Sequence, residues 1–384
     1  MEKKALQAFL WLLALVFVGI ALSPIMDTPP MDAPSFYIAG HLAATGEAHR
    51  LYDADAIAES WVELRHRGLR REVFDHDNYF IRPAVAAFFY APLSFLPFEV
   101  AWRVFLGLSM LAAVLIVWLF PKWFQRYGDL RGWRPCMFAY LPFVWAMGLG
   151  QDTIFLALAI GGSLNLILNG RERSGGALAA LVAIKPHLAW AIPLAFYFSG
   201  KRKAAAWFLA VGGAMAVVSV SVVGVEGLMN WRELVSSNQT DFFPYSMHNI
   251  RAVWIVFGAA PSIPLLVVVV GGLFYGLRSG RLETALAAAL IAPPLLSPHS
   301  YTQDLALMAL LPFLIAPAVA SWIVFVPWMY VDPFRTDRNW PVIGLSVAWL
   351  GYTAVTEWRR RSPVVQPATQ VPVIETATLV AQEE

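Results

Sequence analysis

Apolar runs of bilayer length recur along the sequence and confine the chain to a small set of folds. The first, ALQAFLWLLALVFVGIALS, approaches the roughly 20 residues that a helix needs to cross a hydrocarbon core. Further runs fall at about 82 to 98, 100 to 120, 136 to 150, 152 to 169, 176 to 198, 204 to 225, 251 to 278, 284 to 298, 303 to 316, 318 to 331 and 341 to 357. In lipid every backbone N–H and C=O must find its partner inside the protein, so runs of this length are helices. The pattern predicts an all-α polytopic membrane protein with about twelve crossings. A mean hydropathy of +0.58, with 58% hydrophobic and 14% charged residues, places the chain far from a soluble domain. Sixteen Trp, 25 Phe and 12 Tyr suit its many lipid–water boundaries. A net charge of +2, with Lys and Arg scattered between apolar runs, argues against a nucleic-acid partner. The lone Cys136 can form no intrachain disulfide and reads as a small packing residue.

Lys3 and Lys4 precede the first run, which places the N-terminus in the cytoplasm and makes the run an anchor rather than a cleaved signal peptide. Residues 24 to 80 then form a long polar stretch, ending in ELRHRGLRREVFDHDNY, as the first external loop. SGKRKA, RSGR and EWRRR all fall on the cytoplasmic side, as the positive-inside rule asks, and 226 to 250 becomes a second external loop. The basic segment at 121 to 134 disagrees. Merging 82 to 120 into one crossing with a re-entrant part, and 136 to 169 likewise, would place it inside and give about ten crossings. Residues 361 to 384, rich in Pro, Thr and Gln, read as a disordered cytoplasmic tail after a membrane domain of 1 to 360.

Ionisable groups in or beside a membrane each need a reason, at about 2.5 to 3.5 kcal/mol apiece at a helix centre. They are few here: Asp32, Arg82, Lys185, His299 and Asp304, with His187 and Gln151 as polar companions. Lys185, about ten residues into an apolar helix and followed by Pro186, resembles an anion seat beside a kink; pairing with an acid such as Asp152 is its plain alternative. In LSPHSYTQD, Pro298 ends a helix, and His299, Ser300, Tyr301 and Gln303 present donors at the external surface. Asp32 reads locally as the N-cap of a helix from 34 to about 45, ended by Gly46, and alternatively as a general base. Asp75 and Asp77 spell DxD in a juxtamembrane loop, where a charged loop is the simpler reading. No Walker-type loop, Cys/His metal spacing or Ser-His-Asp signature is present.

Four segments in order resemble glycosyltransferase family 87, of the GT-C superfamily: DAPSFYIAGHLAATGEAHRLYD, YFIRPAVAAFFYAPLSFLPFEVAWRVF, the stretch from GLGQD through AIKPHLAW, and LLSPHSYTQDLALMALLPFL. The resemblance spans roughly residues 5 to 316; Arg82 departs from it, standing where an aromatic residue is expected. It implies a GT-C-type bundle of about ten to twelve transmembrane helices, with short amphipathic helices in the external first loop. It also implies inverting transfer of a sugar, mannose by family, from a polyprenyl-phosphate donor to a glycolipid or polysaccharide acceptor outside the cell membrane.

On that resemblance Asp32 is the general base, with Asp27 as fallback. Lys185, His187 and His299 meet the departing phosphate, and Arg82, Tyr301, Gln303, His248, Asn249 and Arg251 line the same cavity. No metal and no cofactor are expected, because a lipid monophosphate leaves without one. Two other classes compete: a lipid-linked-glycan transporter or flippase, and a non-catalytic subunit of envelope polysaccharide assembly.

Overall fold

A computed structural model describes residues 2–26, 32–66, 79–123, 133–138, 140–236, 247–311 and 340–361. Asp27, Asp75, Asp77, the expected span at 318 to 331 and the C-terminal tail lie outside the described residues. Among the described residues every regular element is helical. The α-helices are α1 (Glu2–Met26), α2 (Ala33–Ala44), α3 (Ala54–His66), α4 (Ala87–Tyr90), α5 (Phe98–Trp123), α6 (Trp133–Phe138), α7 (Leu141–Leu149) and α8 (Thr153–Leu168). Then follow α9 (Glu172–Ala179), α10 (Pro186–Ala189), α11 (Ile192–Phe198), α12 (Arg202–Ser236), α13 (Ile250–Phe257), α14 (Ala259–Leu277), α15 (Leu282–Leu296) and α16 (Trp340–Arg361).

Among the described residues three helices, in α5, α12 and α14, are long and apolar enough to cross a membrane. Several expected crossings are instead broken. The run from 84 to 95 consists of a 3-10 turn, α4 and a second 3-10 stretch, too short at 1.5 to 2.0 Å per residue to cover a ~30 Å core. That short run fits the re-entrant alternative better than a separate crossing. The expected helix at 176 to 198 divides into α9, a 3-10 segment at Ala180–Ile184, α10 and α11, with Lys185 at the break. Pro186 explains the break: it donates no N–H and forces the residue before it out of helical geometry, and Lys185 adopts φ −118°, ψ 78°. Gly258, at φ 80°, separates α13 from α14 where one long helix was expected.

The first polar stretch is only partly a surface loop. α3 is amphipathic, with Ile57, Trp61 and Leu64 buried and Glu59 and Glu63 exposed. α2 departs from the expected amphipathic helix, because Phe36, Ile38, Ala39 and Leu42 are all buried. Gly40 lets it approach α4, since a Cβ there would lie 2.7 Å from the Tyr90 carbonyl. Phe36 stacks on Tyr90 at 4.8 Å between ring centroids. α15 and the 3-10 segment Thr302–Leu310 are buried almost throughout and form the centre of the packing. α12 bends at Gly224 (φ 69°, ψ −171°), and its two halves grip the extended segment that carries Arg82. Ser219 Oγ accepts from Val85 N at 3.0 Å, and Trp231 Nε1 donates to Ile81 O at 3.0 Å.

Candidate active site

The site begins where α7 ends. Gly150, at φ 74°, closes α7 with a Schellman turn in which Gln151 N donates to Ala146 O at 2.9 Å and Gly150 N to Met147 O at 3.2 Å. A Cβ on Gly150 would also lie 2.8 Å from the Ala33 Cβ, so this position requires glycine twice over. The close approach brings the start of α2 against the end of α7, and Asp32 N donates to Leu149 O at 3.3 Å.

Asp32 occupies the N-cap position of α2, yet its side chain does not cap the helix. Pro34 removes one of the N–H groups a cap would use. The partly exposed carboxylate instead accepts from Gln151 Nε2 through Oδ2.

Behind Gln151 lies a buried ionic cluster. Gln151 Oε1 accepts from Arg82 Nη2 at 2.8 Å and from Lys185 Nζ at 2.9 Å. Lys185, 1% exposed, also donates to Thr153 Oγ1 at 2.7 Å and Asp304 Oδ1 at 2.8 Å, which engages all three ammonium protons. Asp152 lies 3.5 Å from both Arg82 Nη2 and Lys185 Nζ and accepts from Tyr90 OH at 2.9 Å. Asp304 Oδ2 accepts from Tyr301 N at 3.2 Å within a capping box, and His187 Nε2 stands 3.6 Å away, an ion-pair rather than a hydrogen-bond distance. Arg82 is fixed from behind as well, because Tyr52 OH donates to its carbonyl and the Phe36 ring lies 5.7 Å from its guanidinium carbon.

Two cations, Arg82 and Lys185, therefore stand among three carboxylates, Asp32, Asp152 and Asp304. These charges leave no positive excess for a phosphate, and Lys185 has no proton left to offer one.

The second group of expected residues surrounds the end of α15. Asn249 is committed locally: its Oδ1 accepts from Ala252 N at 2.8 Å and caps α13. His248 N donates to Ser300 O at 3.0 Å, which joins the start of α13 to the turn after α15. The His248 ring is 1% exposed, and among the described residues neither of its nitrogens has a hydrogen-bond partner, nor does the buried Ser300 hydroxyl. Burial lowers the His248 pKa to about 4, keeping the ring neutral. His299 and Tyr301 are half-buried and meet edge to face at 4.8 Å, and Arg251 Nη1 donates to Pro298 O at 3.3 Å beside them. Gln303 is buried on the first turn of the following 3-10 segment.

Asp32, Arg82, Lys185 and His187 thus converge on one cluster, while His248, Asn249, Arg251, His299, Tyr301 and Gln303 gather around the adjacent turn. Asp304 belongs to both. Sequence reasoning assigned no role to Gln151 or Asp304, named Asp152 only as an alternative partner of Lys185, and overlooked Tyr90 and Thr153 as site residues. The signal was the unbroken polar triplet Gln151-Asp152-Thr153 directly after a helix-ending glycine in apolar surroundings.

The family model for glycosyltransferase family 87 matches residues 80–317, more than half of the sequence. The chain belongs to glycosyltransferase family 87. No curated protein and no solved structure matches it. Membership makes the protein a glycosyltransferase, with a sugar donor and an acceptor, and the three long apolar helices suggest a membrane protein. The family match takes in Arg82, Gln151, Lys185 and the His299 turn. Asp32 lies before the matched residues, so its role rests on where the fold brings it.

Proposed function

We propose that this family 87 member is an inverting glycosyltransferase that moves a sugar, with mannose as the family expectation, from a polyprenyl-phosphate donor. The acceptor is an envelope glycolipid or polysaccharide on the external face of the membrane. The observation that carries the reading is Asp32, a partly exposed carboxylate held by Gln151 at the edge of a buried ionic cluster.

Asp32 takes the proton of the acceptor hydroxyl as its oxygen bonds to the anomeric carbon and the bond from that carbon to the phosphate oxygen breaks. A positioned base of this kind contributes typically ~10² to 10⁴ in rate. Negative charge grows on the departing phosphate, so donors must be placed there in advance. His299 and Arg251, at the half-buried turn, suit that task, with His187 behind them. Lys185 and Arg82 support the reading differently: with their protons engaged by Gln151, Thr153 and carboxylates, they hold the site in shape. His248, Tyr301 and Gln303 line the sugar side of the cavity, and Asn249 caps the helix beside His248. The reaction needs no metal, since a phosphate monoester leaves without one. A transporter or assembly subunit is the weaker reading, because the match is to a transferase family.

Transfer of radiolabelled mannose from polyprenyl-phosphate mannose to membrane glycolipids tests this, with wild type beside Asp32→Asn and EDTA throughout. A fall of about 10² to 10⁴ in the variant, with wild-type activity surviving EDTA, is the expected result. Full activity of Asp32→Asn would reject the base assignment, and loss of wild-type activity in EDTA would reject the metal-free reaction.

A further inference from the structure

Gln151 links the paired charges to Asp32, and its orientation is dictated by them. Its oxygen lies 2.8 Å from Arg82 Nη2 and 2.9 Å from Lys185 Nζ, two groups that can only donate. Turning the amide over would press its N–H groups against both cations, so the N–H end must face Asp32. The backbone allows as little choice. Gly150 sets the turn that presents Gln151, and contact with Ala33 sets the distance to α2.

We infer that Gln151 is the positioning residue for Asp32: with its carbonyl oxygen locked by Arg82 and Lys185, its N–H holds the carboxylate in the orientation that reaches the acceptor. The inference rests on Asp32 being the base. A neutral amide suits this place because a guanidinium or ammonium paired directly with Asp32 would stabilise the carboxylate and weaken it as a proton acceptor. A purely structural bond between α2 and α7 is the competing account. That bond has other sources, since Asp32 N donates to Leu149 O at 3.3 Å and Ala33 packs on Gly150 without the Gln151 side chain.

Two variants of the full-length protein, each measured for kcat, donor KM and pH profile, separate the accounts. Gln151→Glu keeps an acceptor for both cations but sets a carboxylate against Asp32. Among the described residues Arg82, Tyr90, Asp152 and Lys185 are charged or titratable groups around the pair, all unchanged. The acid limb of its kcat/KM profile should move to higher pH by about one unit or more, because a like charge disfavours the ionised base. Gln151→Met removes both hydrogen-bonding ends and should lower kcat about 10- to 100-fold, part of what a general base supplies, with donor KM unchanged. A wild-type acid limb in the Glu variant, or a raised donor KM with wild-type kcat in the Met variant, would overturn the inference. So would gel filtration in detergent showing that both variants misfold, since Gln151 would then be a structural tie. Asp32→Asn in the same assay keeps the two questions apart: its full activity would remove the base, whereas its inactivity beside wild-type behaviour of both Gln151 variants would reject Gln151 alone.

Discussion

The buried cluster behind Asp32 and the turn after α15 hold the same kinds of side chain, and their bonding is opposite. In the cluster, Lys185 has three partners for three protons, Gln151 is used at both ends, and Tyr90 completes Asp152. Arg82 Nε and His187 Nε2 are the exceptions, buried without a hydrogen-bond partner among the described residues. At the turn, both His248 nitrogens and the Ser300 hydroxyl are buried with no hydrogen-bond partner among the described residues. An unsatisfied buried polar group costs about 1 to 3 kcal/mol, so a fold retains one for a reason. The contrast teaches that a charged residue in an apolar helix and a histidine in a loop can exchange their expected roles. Lys185, which resembles an anion seat in the sequence, has all its protons engaged, and at the turn His248 and Ser300 hold hydrogen-bonding capacity that the described residues leave unused.

Removing the lysine should break the frame most visibly. Lys185→Met leaves Asp304 buried without its ammonium partner and Asp152 with Arg82 alone, and should lower stability by about 3 to 5 kcal/mol in thermal or denaturant unfolding in detergent. A change below about 1 kcal/mol would mean that Lys185 is not holding the cluster together.

Acid should act next, through the turn. His248 is neutral in the fold with a pKa near 4, against 6.5 for an unhindered histidine. The unfolded chain therefore binds this proton first as pH falls. The His248 contribution to stability is intact above pH 6.5 and declines toward pH 4, by at most about 3 kcal/mol. His248→Leu should flatten that part of the stability profile, and an unchanged slope would show that the ring is solvated in solution.

The smallest effect on stability should come from His299→Ala, within about 0.5 kcal/mol, because the half-buried ring lies outside the buried cluster. Donor KM should rise in the same variant. A lowered melting point with unchanged KM would place His299 in the frame and erase the distinction between the two regions.

Much of this site was legible one residue at a time. Asp32, Arg82, Lys185 and His299 stand out because a charge or imidazole amid apolar residues is rare, and the fold gathers the first three around Gln151, with His299 on the adjacent turn. Asp32 was misread locally for an equally plain reason. Asp-x-Pro before an apolar helix is a capping pattern, and nothing nearby in sequence reveals that a glutamine from the turn after α7 takes the carboxylate instead. Lys185 could be read as seat or partner, and the choice depended on Asp304, which lies 119 positions away in the chain.

The sequence by itself determined the helical membrane class, since lipid admits few ways to satisfy a backbone, and it determined the breaks at Pro186 and Gly150, since those two residues restrict or permit φ locally. It did not determine how many apolar runs are continuous crossings: α4 and α10 show that an apolar run can fold as short helical pieces. Tertiary structure alone decided which polar residues are spent on one another and which remain for a ligand. Hydrogen-bonding capacity is fixed by residue type, but whether it is used depends on partners that only packing brings within 3 Å.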